Sequence, residues 1–282
     1  MKICHEIGVT PAVCRATRQM GKRIGLVPTM GALHEGHLSL VRAAKAKCDV
    51  VAVSIFVNPT QFGPTEDFAK YPHTVERDCQ LLEKEGVDIV FAPSAEAMYP
   101  NGEVTWVTVE GLSEKLDGKS RPGHFRGVTT VVAKLFHIIE PDIAFFGQKD
   151  AAQLAVIRRM VRDLNFPVEI VACPIVREPD GLALSSRNVY LSGEERQQSL
   201  VLRRSLRCVE EEFQTGQKNT RTLLTEGRKI FNQEPRVRLD YFEIVDPDTL
   251  DPVEEILRPT LVAVAAYVGT TRLIDNTLLA GL

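Results

Sequence analysis

Short apolar runs alternate along most of the chain with longer amphipathic segments. The apolar runs predict buried strands at 24–27, 49–57, 87–92, 142–146 and 168–173. Apolar residues at helical spacing predict helices at 10–19, 37–47, 74–85, 124–139 and 150–164. Thr10, followed by Pro11, is typical of a helix N-cap and first turn. Because continuously apolar strands alternate with helices, we expect an α/β fold with a doubly wound parallel sheet.

The pattern changes from about residue 192. A long charged segment predicts one helix over 194–213, and a second helix is expected over 220–231. The runs that follow predict short strands at 241–245, 260–268 and 271–279. We therefore expect two domains, one over residues 1–176 with the parallel sheet and a smaller α+β domain over residues 177–282.

Composition narrows the class of protein. The 282 residues are 44% hydrophobic and 25% charged, and the formal net charge of -3 gives no reason to expect nucleic acid or a membrane surface as partner. No apolar run approaches the roughly 20 residues that a membrane span needs, and the first residues lack the apolar core of a signal peptide. The six cysteines are scattered without a C-x-x-C pair, which favours reduced thiols. We expect a cytoplasmic protein.

The stretch P-T-M-G-A-L-H-E-G-H-L-S-L, residues 28–40, joins a predicted strand to a predicted helix. Unpaired backbone N–H groups and the positive dipole end make such a helix start favourable for anions, and Gly31 permits a tight turn. His34 and His37 lie one helical turn apart and suit a polyphosphate as donors. As a metal pair they would need a third ligand, and their spacing differs from H-E-x-x-H. The remaining alternative is two polar residues at a helix start.

A second strand-to-helix junction reads F-F-G-Q-K-D-A-A-Q, residues 145–153. Gly147 marks the turn, and Lys149 supplies a point charge that suits a phosphate. Asp150 is equally compatible with a plain N-cap. Gln153, one turn further on, is expected to face the same crevice.

Two further segments carry weaker signals. R-E-P-D-G-L-A-L-S-S-R-N, residues 177–188, combines serine hydroxyls with Arg187 and suits phosphate oxygens, but an ordinary polar linker explains it equally well. N-P-T-Q-F-G-P-T-E-D, residues 58–67, offers the amides of Asn58 and Gln61, with an uncommitted loop as the alternative. Three residues of S-R-P-G-H-F-R-G are expected to lie near a substrate: Arg121, His124 and Arg126.

Taken together, these motifs resemble the pantothenate synthetase (pantoate–β-alanine ligase) family of the H-x-G-H nucleotidylyltransferase superfamily. P-T-M-G-A-L-H-E-G-H, F-V-N-P-T-Q-F, F-F-G-Q-K-D-x-x-Q and L-S-S-R-N-x-Y-L occur in the family's order and span nearly the whole chain. H-x-G-H alone would indicate only the superfamily. The resemblance implies a Rossmann-like first domain that binds the nucleotide and pantoate, a C-terminal lid domain, and a homodimer.

The resemblance also implies a set of site residues. The resemblance implies that His37 donates a proton. His34, Lys149 and Arg187 are also implied to be catalytic residues. Gln61 and Gln153 are implied to hold pantoate. The implied ATP contacts are Met30, Gly31, Ala32, Leu33, His34, Glu35, Gly36, His37, Gly147, Gln148, Lys149, Asp150, Val176, Leu184, Ser185, Ser186 and Arg187. We assign no protein ligand to Mg²⁺, which is expected to arrive on the nucleotide.

The implied reaction is the ATP-dependent condensation of (R)-pantoate with β-alanine through a pantoyl adenylate. ATP would be a substrate, and the C-terminal domain would close over the site and exclude water. Two alternatives stay open. One is a nucleotidylyltransferase that acts on a phosphorylated pantetheine, against which the neutral amides of Gln61 and Gln153 argue. The other is a nucleotide sensor without catalysis, because doubly wound sheets host many activities.

Overall fold

The computed structural model describes residues 1–64, 66–100 and 104–280. Their contacts divide the chain into two compact units. The first unit comprises Met1–Glu114, Arg121–Gly147 and Val156–Cys173. The second comprises Lys115–Ser120, Gln148–Ala155 and Pro174–Leu282, and so takes two short segments from the first part of the sequence. The domain boundary expected between residues 176 and 177 stays a prediction.

Strands and helices alternate up to residue 173, except that three of the described helices lie between the fourth and fifth strands. In chain order the strands are β1 (Lys2–Cys4), β2 (Ile24–Thr29), β3 (Val50–Ile55), β4 (Ile89–Phe91), β5 (Ile143–Gly147), β6 (Glu169–Cys173), β7 (Val237–Val245), β8 (Thr260–Val268) and β9 (Thr271–Leu279). The helices are α1 (Thr10–Gln19), α2 (Glu35–Lys47), α3 (Val75–Lys84), α4 (Ala95–Met98), α5 (Asp117–Ser120), α6 (His124–Ile139), α7 (Ala151–Asp163), α8 (Gly193–Ser199), α9 (Val201–Gln214) and α10 (Thr220–Phe231). Short 3₁₀ turns occupy Pro59–Gln61, Asp67–Lys70, Leu112–Glu114, Gln148–Asp150 and Ser186–Tyr190.

The first unit is built on a parallel sheet with the strand order β1-β4-β3-β2-β5-β6. The central strands β2 and β3 are almost entirely buried because helices cover both faces, as the continuous apolar runs predicted. One core cluster joins β2 and β3 to α2, with Val27, Val53 and Val41 among its members. The expected α/β fold with a doubly wound parallel sheet is confirmed.

The second unit contains an antiparallel sheet with the order β7-β8-β9. Apolar side chains of α9 and α10 cover one face of it, including Leu206 and Leu223 against Phe242. The segment Lys115–Ser120 belongs to this unit, and its Asp117 carboxylate lies 2.7 Å from the guanidinium of Arg272 in β9. The smaller α+β part expected from the sequence is therefore present.

Several local features differ from the sequence-based expectations. Thr10 is not the N-cap of α1: Val9 holds that position, and the buried Thr10 hydroxyl donates to the carbonyl oxygen of Glu6 at 2.9 Å. The charged helix expected over 194–213 is two helices, α8 and α9, which meet at Leu200. The edge strand β1 was not predicted, because three residues are too few to show a period. No helix in the described ranges is long and apolar enough to cross a bilayer.

Candidate active site

The turn between β2 and α2 has a left-handed backbone at two successive residues. Gly31 has φ +83° and Ala32 has φ +50°. The second of these conformations is costly for a residue with a Cβ atom, by about 1–2 kcal/mol. The N–H of Gly31 donates to the Thr29 hydroxyl at 3.1 Å, and that hydroxyl donates to the carbonyl oxygen of Ser54 at 2.7 Å. The turn is thus tied to the end of the neighbouring strand β3.

Asp78 of α3 holds the turn in this shape. Its carboxylate is fully buried and accepts the backbone N–H groups of Ala32 and Leu33, each at 2.9 Å. The Thr74 hydroxyl donates to the same carboxylate at 3.0 Å. A buried carboxylate with three donors is satisfied without a metal ion. Asp78 therefore positions the backbone that leads into His34.

His34 and His37 form a capping box at the start of α2. The N–H of Gly36 donates to Nδ1 of His34 at 3.1 Å, and the N–H of His34 donates to Nδ1 of His37 at 3.3 Å. Since backbone N–H groups only donate, both Nδ1 atoms are acceptors, and each neutral ring carries its proton on Nε2. The ring centroids lie 4.1 Å apart. The helix start thus carries two adjacent Nε2–H donors, which suits an anionic ligand.

The other predicted residues of this turn have separate roles. Leu33 is buried in the core cluster of the first unit. Glu35 forms an ion pair with Arg42 on an exposed face of α2. The sulfur of Met30 accepts a hydrogen bond from the side-chain amide of Gln61 at 2.9 Å, so the structure brings these two predicted site residues together.

Gln61 is held by a polar network at the carboxyl end of β3. Asn58 donates to Oε1 of Gln61 at 3.1 Å and to the carbonyl oxygen of Gly127 at 3.2 Å. The Tyr99 hydroxyl donates to the side-chain oxygen of Asn58 at 2.8 Å. A Cβ atom on Gly127 would lie 2.3 Å from the carbonyl oxygen of Thr60, so only glycine allows α6 to approach this turn so closely. The Gln61 amide is consequently oriented before any ligand binds.

Arg121 and His124 hold Gln61 from the other side. Nη1 of Arg121 donates to Nε2 of His124 at 3.0 Å, and because a guanidinium has no acceptor, Nδ1–H of His124 donates to the carbonyl oxygen of Gln61 at 2.8 Å. Arg121 also donates to both carboxylate oxygens of Glu66, at 2.7 and 2.6 Å. Burial acts to raise the pKa of Glu66, but the hydrogen bonds and charge of Arg121 outweigh it and hold that pKa below its ordinary value. Arg126 instead lies 4.5 Å from the ring centroid of Trp106.

The predicted residues after β5 are distributed between a strand and a 3₁₀ turn. Gly147 is the last residue of β5 and pairs with Cys173 of β6. Gln148, Lys149 and Asp150 form the following turn. The ammonium of Lys149 lies 3.5 Å from the carboxylate of Asp150.

The 177–188 segment folds back on itself within the second unit. Arg177 and Ala183 form an antiparallel bridge, and the N–H of Leu184 donates to the carbonyl oxygen of Val176 at 3.0 Å. The Ser185 hydroxyl then accepts the N–H of Arg187 at 3.3 Å and caps the 3₁₀ turn Ser186–Tyr190. The segment is therefore an ordered hairpin and not an open linker.

The side chains of the described residues do not assemble into a metal site. No group of three or more His, Cys, Asp or Glu residues in residues 1–64, 66–100 and 104–280 could hold an ion. All six cysteines are free thiols, and burial raises the pKa of the Cys14 thiol to about 11. The donor set of these ranges therefore gives no protein cage for Mg²⁺.

Sequence reasoning missed several residues that contact predicted site segments, among them Asp78 and Asn276, whose side-chain amide donates to the carbonyl oxygens of Gln148 and Lys149. Asp78 occupies a position on the buried stripe of α3, between Val75 and Leu82, where an apolar residue is usual. That polar residue in an apolar position was an available signal. Asn276, 2% exposed in β9, belongs to a residue type that is depleted from strands.

Comparisons with known proteins point to one family over nearly the whole chain. A family model described as pantoate-beta-alanine ligase matches residues 2–278. The pantothenate synthetase of Acidobacterium capsulatum is 67% identical over 258 residues, which cover 92% of this chain and 86% of that relative. The pantothenate synthetase of Koribacter versatilis is 61% identical over 279 residues, which cover 99% of this chain and 96% of that relative.

Solved structures give the same result. The pantothenate synthetase from Thermus thermophilus matches with a TM-score of 0.92 and 48% identity, covering 98% of this chain and 99% of that one. A pantoate-beta-alanine ligase from Francisella tularensis, complexed with beta-gamma ATP and beta-alanine, matches with a TM-score of 0.77 and 35% identity, covering 99% and 97%. The resemblance seen in the motifs is confirmed, and this chain belongs to the pantoate–β-alanine ligase family.

Proposed function

We propose that this ligase condenses (R)-pantoate with β-alanine in an ATP-dependent reaction, giving pantothenate, AMP and pyrophosphate. The observation that carries the proposal is the family match over residues 2–278, which includes every motif noted in the sequence. The Francisella tularensis ligase with its bound beta-gamma ATP and beta-alanine supports ATP and the amine as substrates.

In the first step a pantoate carboxylate oxygen attacks the α-phosphorus of ATP. The bond to the bridging oxygen breaks, pyrophosphate leaves, and pantoyl adenylate forms. A carboxylate needs no strong base, so this step depends on alignment and on stabilising the charge that develops on pyrophosphate. In the second step the neutral amine of β-alanine attacks the acyl carbon, AMP leaves, and the amine loses a proton.

The charge on pyrophosphate would be met by hydrogen-bond donors and cations. As donors we propose the Nε2–H groups of His34 and His37, with His37 as proton donor. Their support is the backbone hydrogen bonds that hold both Nδ1 atoms as acceptors. As cations we propose Lys149 and Arg187. The remaining proposed ATP contacts are Met30–Gly36, Gly147, Gln148, Asp150, Val176 and Leu184–Ser186.

Pantoate would be held by neutral amides. We propose Gln61 and Gln153 for this role, because an uncharged amide can bind the hydroxyl groups of pantoate and still leave its carboxylate reactive. Asn58 and His124 support the proposal for Gln61, since they orient its side chain and hold its backbone. Water must be excluded in the second step, since the acyl adenylate would otherwise hydrolyse.

Three further proposals concern the setting of the reaction. Mg²⁺ would arrive on the ATP phosphates and neutralise part of their charge, and we assign it no protein ligand. The enzyme would act as a homodimer. A cytoplasmic location is supported by the six free thiols, which suit a reducing compartment.

Exchange of labelled pyrophosphate into ATP tests the first step directly. We expect exchange that requires pantoate, and AMP release that additionally requires β-alanine. Exchange with a phosphorylated pantetheine in place of pantoate would instead indicate a nucleotidylyltransferase for that substrate. ATP binding without any exchange would indicate a sensor and would overturn the proposal.

Side-chain deletion tests the assigned donors. His37→Ala and Lys149→Ala should each lower pantoate-dependent exchange by on the order of a hundredfold. His73→Ala removes an exposed imidazole of the same unit as His37 and serves as the matched control, with exchange unchanged. Full exchange in the first two variants would contradict the proposed roles.

A further inference from the structure

The edge strand β9 carries a buried pair, Asp275 and Asn276, that contacts two of the segments proposed to bind ATP. Asp275 is 3% exposed and Asn276 is 2% exposed. Both residues lie in the segment Pro174–Leu282 of the second unit, to which Gln148–Ala155 also belongs. All the contacts described below therefore lie within that unit. The mechanism proposed above uses neither residue.

Asn276 is hydrogen-bonded to the turn that carries Lys149. Its side-chain N–H groups donate to the carbonyl oxygens of Gln148 and Lys149, each at 2.9 Å. Its side-chain oxygen accepts from the Gln148 amide at 3.3 Å. Since the amide has only two N–H donors, both are used on this turn. The backbone on either side of the Gln148–Lys149 peptide is therefore fixed by one buried side chain.

Asp275 forms an ion pair at the base of the hairpin that carries Ser185–Arg187. Its carboxylate accepts both terminal nitrogens of Arg177, at 2.7 and 2.9 Å, which is the strong bidentate geometry. Arg177 also donates to the carbonyl oxygen of Gly181 at 3.1 Å, across the hairpin. The side chains of Arg177 and Asp275 are 22% and 2% exposed, so solvent screens this ion pair only weakly.

The contacts of Asp275 and those of Asn276 are linked to each other. The N–H of Asn276 donates to the carboxylate of Asp275 at 2.8 Å, and Arg177 lies 3.4 Å from the carbonyl oxygen of Asn276. A strand that fixes both segments removes their independent motion, and that lowers the ordering cost when a ligand contacts both of them. Misplacing a catalytic group by about 1 Å can cost on the order of a hundredfold in rate.

We propose that Asp275 and Asn276 are positioning residues that hold Lys149 and Ser185–Arg187 at a fixed separation for the polyphosphate of ATP. The inference rests on the proposed function, because it takes Lys149 and Arg187 as nucleotide contacts. It gives the three-stranded sheet a role in nucleotide binding: β9 is the common support of both segments. Neither residue is assigned a contact with the substrate itself.

The test is a double-mutant cycle on Asn276 and Lys149. Asn276→Asp keeps the shape of the side chain but places an oxygen against two carbonyl oxygens, and we expect kcat/KM for ATP to fall by roughly tenfold to a hundredfold. In the Lys149→Ala background the same substitution should change kcat/KM for ATP by less than about threefold, because the group that it positions is gone. A purely structural role would lower activity equally in both backgrounds.

Thr277→Val is the matched control. Thr277 is the next residue of β9, and its hydroxyl donates a hydrogen bond to the carboxylate of Glu210 in α9. We expect its KM for ATP to equal that of the wild type. Thermal unfolding of every variant identifies the temperature range in which all of them are folded, and the kinetics are measured within that range.

If Asn276→Asp does not fold, Arg177→Lys tests the ion pair between Arg177 and Asp275. It keeps the positive charge but loses the bidentate geometry, and its effect on the KM for ATP should vanish in an Arg187→Ala background. Wild-type kinetics in Asn276→Asp, or full additivity in either cycle, would overturn the inference while leaving the ligase activity intact. A wild-type enzyme without pantoate-dependent exchange would overturn the proposed function, and this inference with it.

Discussion

Replacing Asp78 with asparagine should weaken the turn that leads into His34. The substitution keeps the size of the side chain but leaves one oxygen where two now accept the N–H groups of Ala32 and Leu33. One of these N–H groups must lose its acceptor and face an NH₂ group. Asp78 is fully buried and Leu33 is 1% exposed, so water cannot replace the lost bond.

The magnitude follows from these contacts. A hydrogen bond to a charged acceptor contributes about 1.5–3 kcal/mol, and a buried donor left unsatisfied costs about 1–3 kcal/mol. Allowing for overlap between the two effects, Asp78→Asn should lower the free energy of unfolding by about 2–4 kcal/mol. That is a large part of the roughly 5–15 kcal/mol typical of a folded protein. Ala32, at φ +50°, then has less to hold its left-handed conformation, and the turn should relax.

Urea unfolding followed by far-ultraviolet circular dichroism measures the loss of stability, and initial rates give the KM for ATP. We expect the KM for ATP to rise at least about tenfold in Asp78→Asn, because the backbone before His34 moves. Thr74→Val is the matched control: it removes one donor to Asp78 and leaves both backbone bonds in place. It should cost about 1–2 kcal/mol and leave the KM for ATP unchanged. Equal stability and equal KM in the two variants would refute the clamping role.

Three further predictions concern the polar network around Gln61. Gly127→Ala should cost about 3 kcal/mol or more, because its Cβ atom would lie 2.3 Å from a backbone oxygen of the turn that ends at Gln61. His124→Phe should raise the KM for pantoate roughly tenfold without changing that for ATP, since it removes the donor to the Gln61 carbonyl. Glu66→Gln should cost about 1–2 kcal/mol at neutral pH, because it breaks a half-buried ion pair with Arg121.

Each of these predictions has its own control. Gly8→Ala adds a methyl group with nothing within 4 Å and should change stability little. His124→Asn can still donate from the position of Nδ1 and should restore the KM for pantoate; if Phe and Asn behave alike, the donor is not what matters. The pKa of Glu66 is depressed on folding, so its stabilisation is present above the ordinary value of 4.5 and is lost as the pH falls through the lower folded value. A difference between wild type and Glu66→Gln that grew below pH 4.5 would contradict this assignment.

The local pattern of apolar residues was enough to predict most of the helices and strands of the chain. The helix expected over 124–139 matches α6, and the strand expected over 271–279 matches β9. Both predictions succeeded because the spacing of apolar residues along the chain has the period of a helix or of a strand. The H-x-G-H motif and its three companion motifs were enough to identify the family. Patterning failed where a local choice depends on packing: the break at Leu200 divides a segment that reads as one amphipathic helix.

By itself, then, the sequence determined most of the strands and helices and the family to which the chain belongs. Only the tertiary structure decided what holds the site segments in place. Asp78 reaches a turn 46 residues earlier, and Asn276 reaches a turn 128 residues earlier. Periodicity reports the neighbours of a residue along its own element. A hydrogen bond between distant segments depends on how those elements pack, and packing is a property of the folded chain.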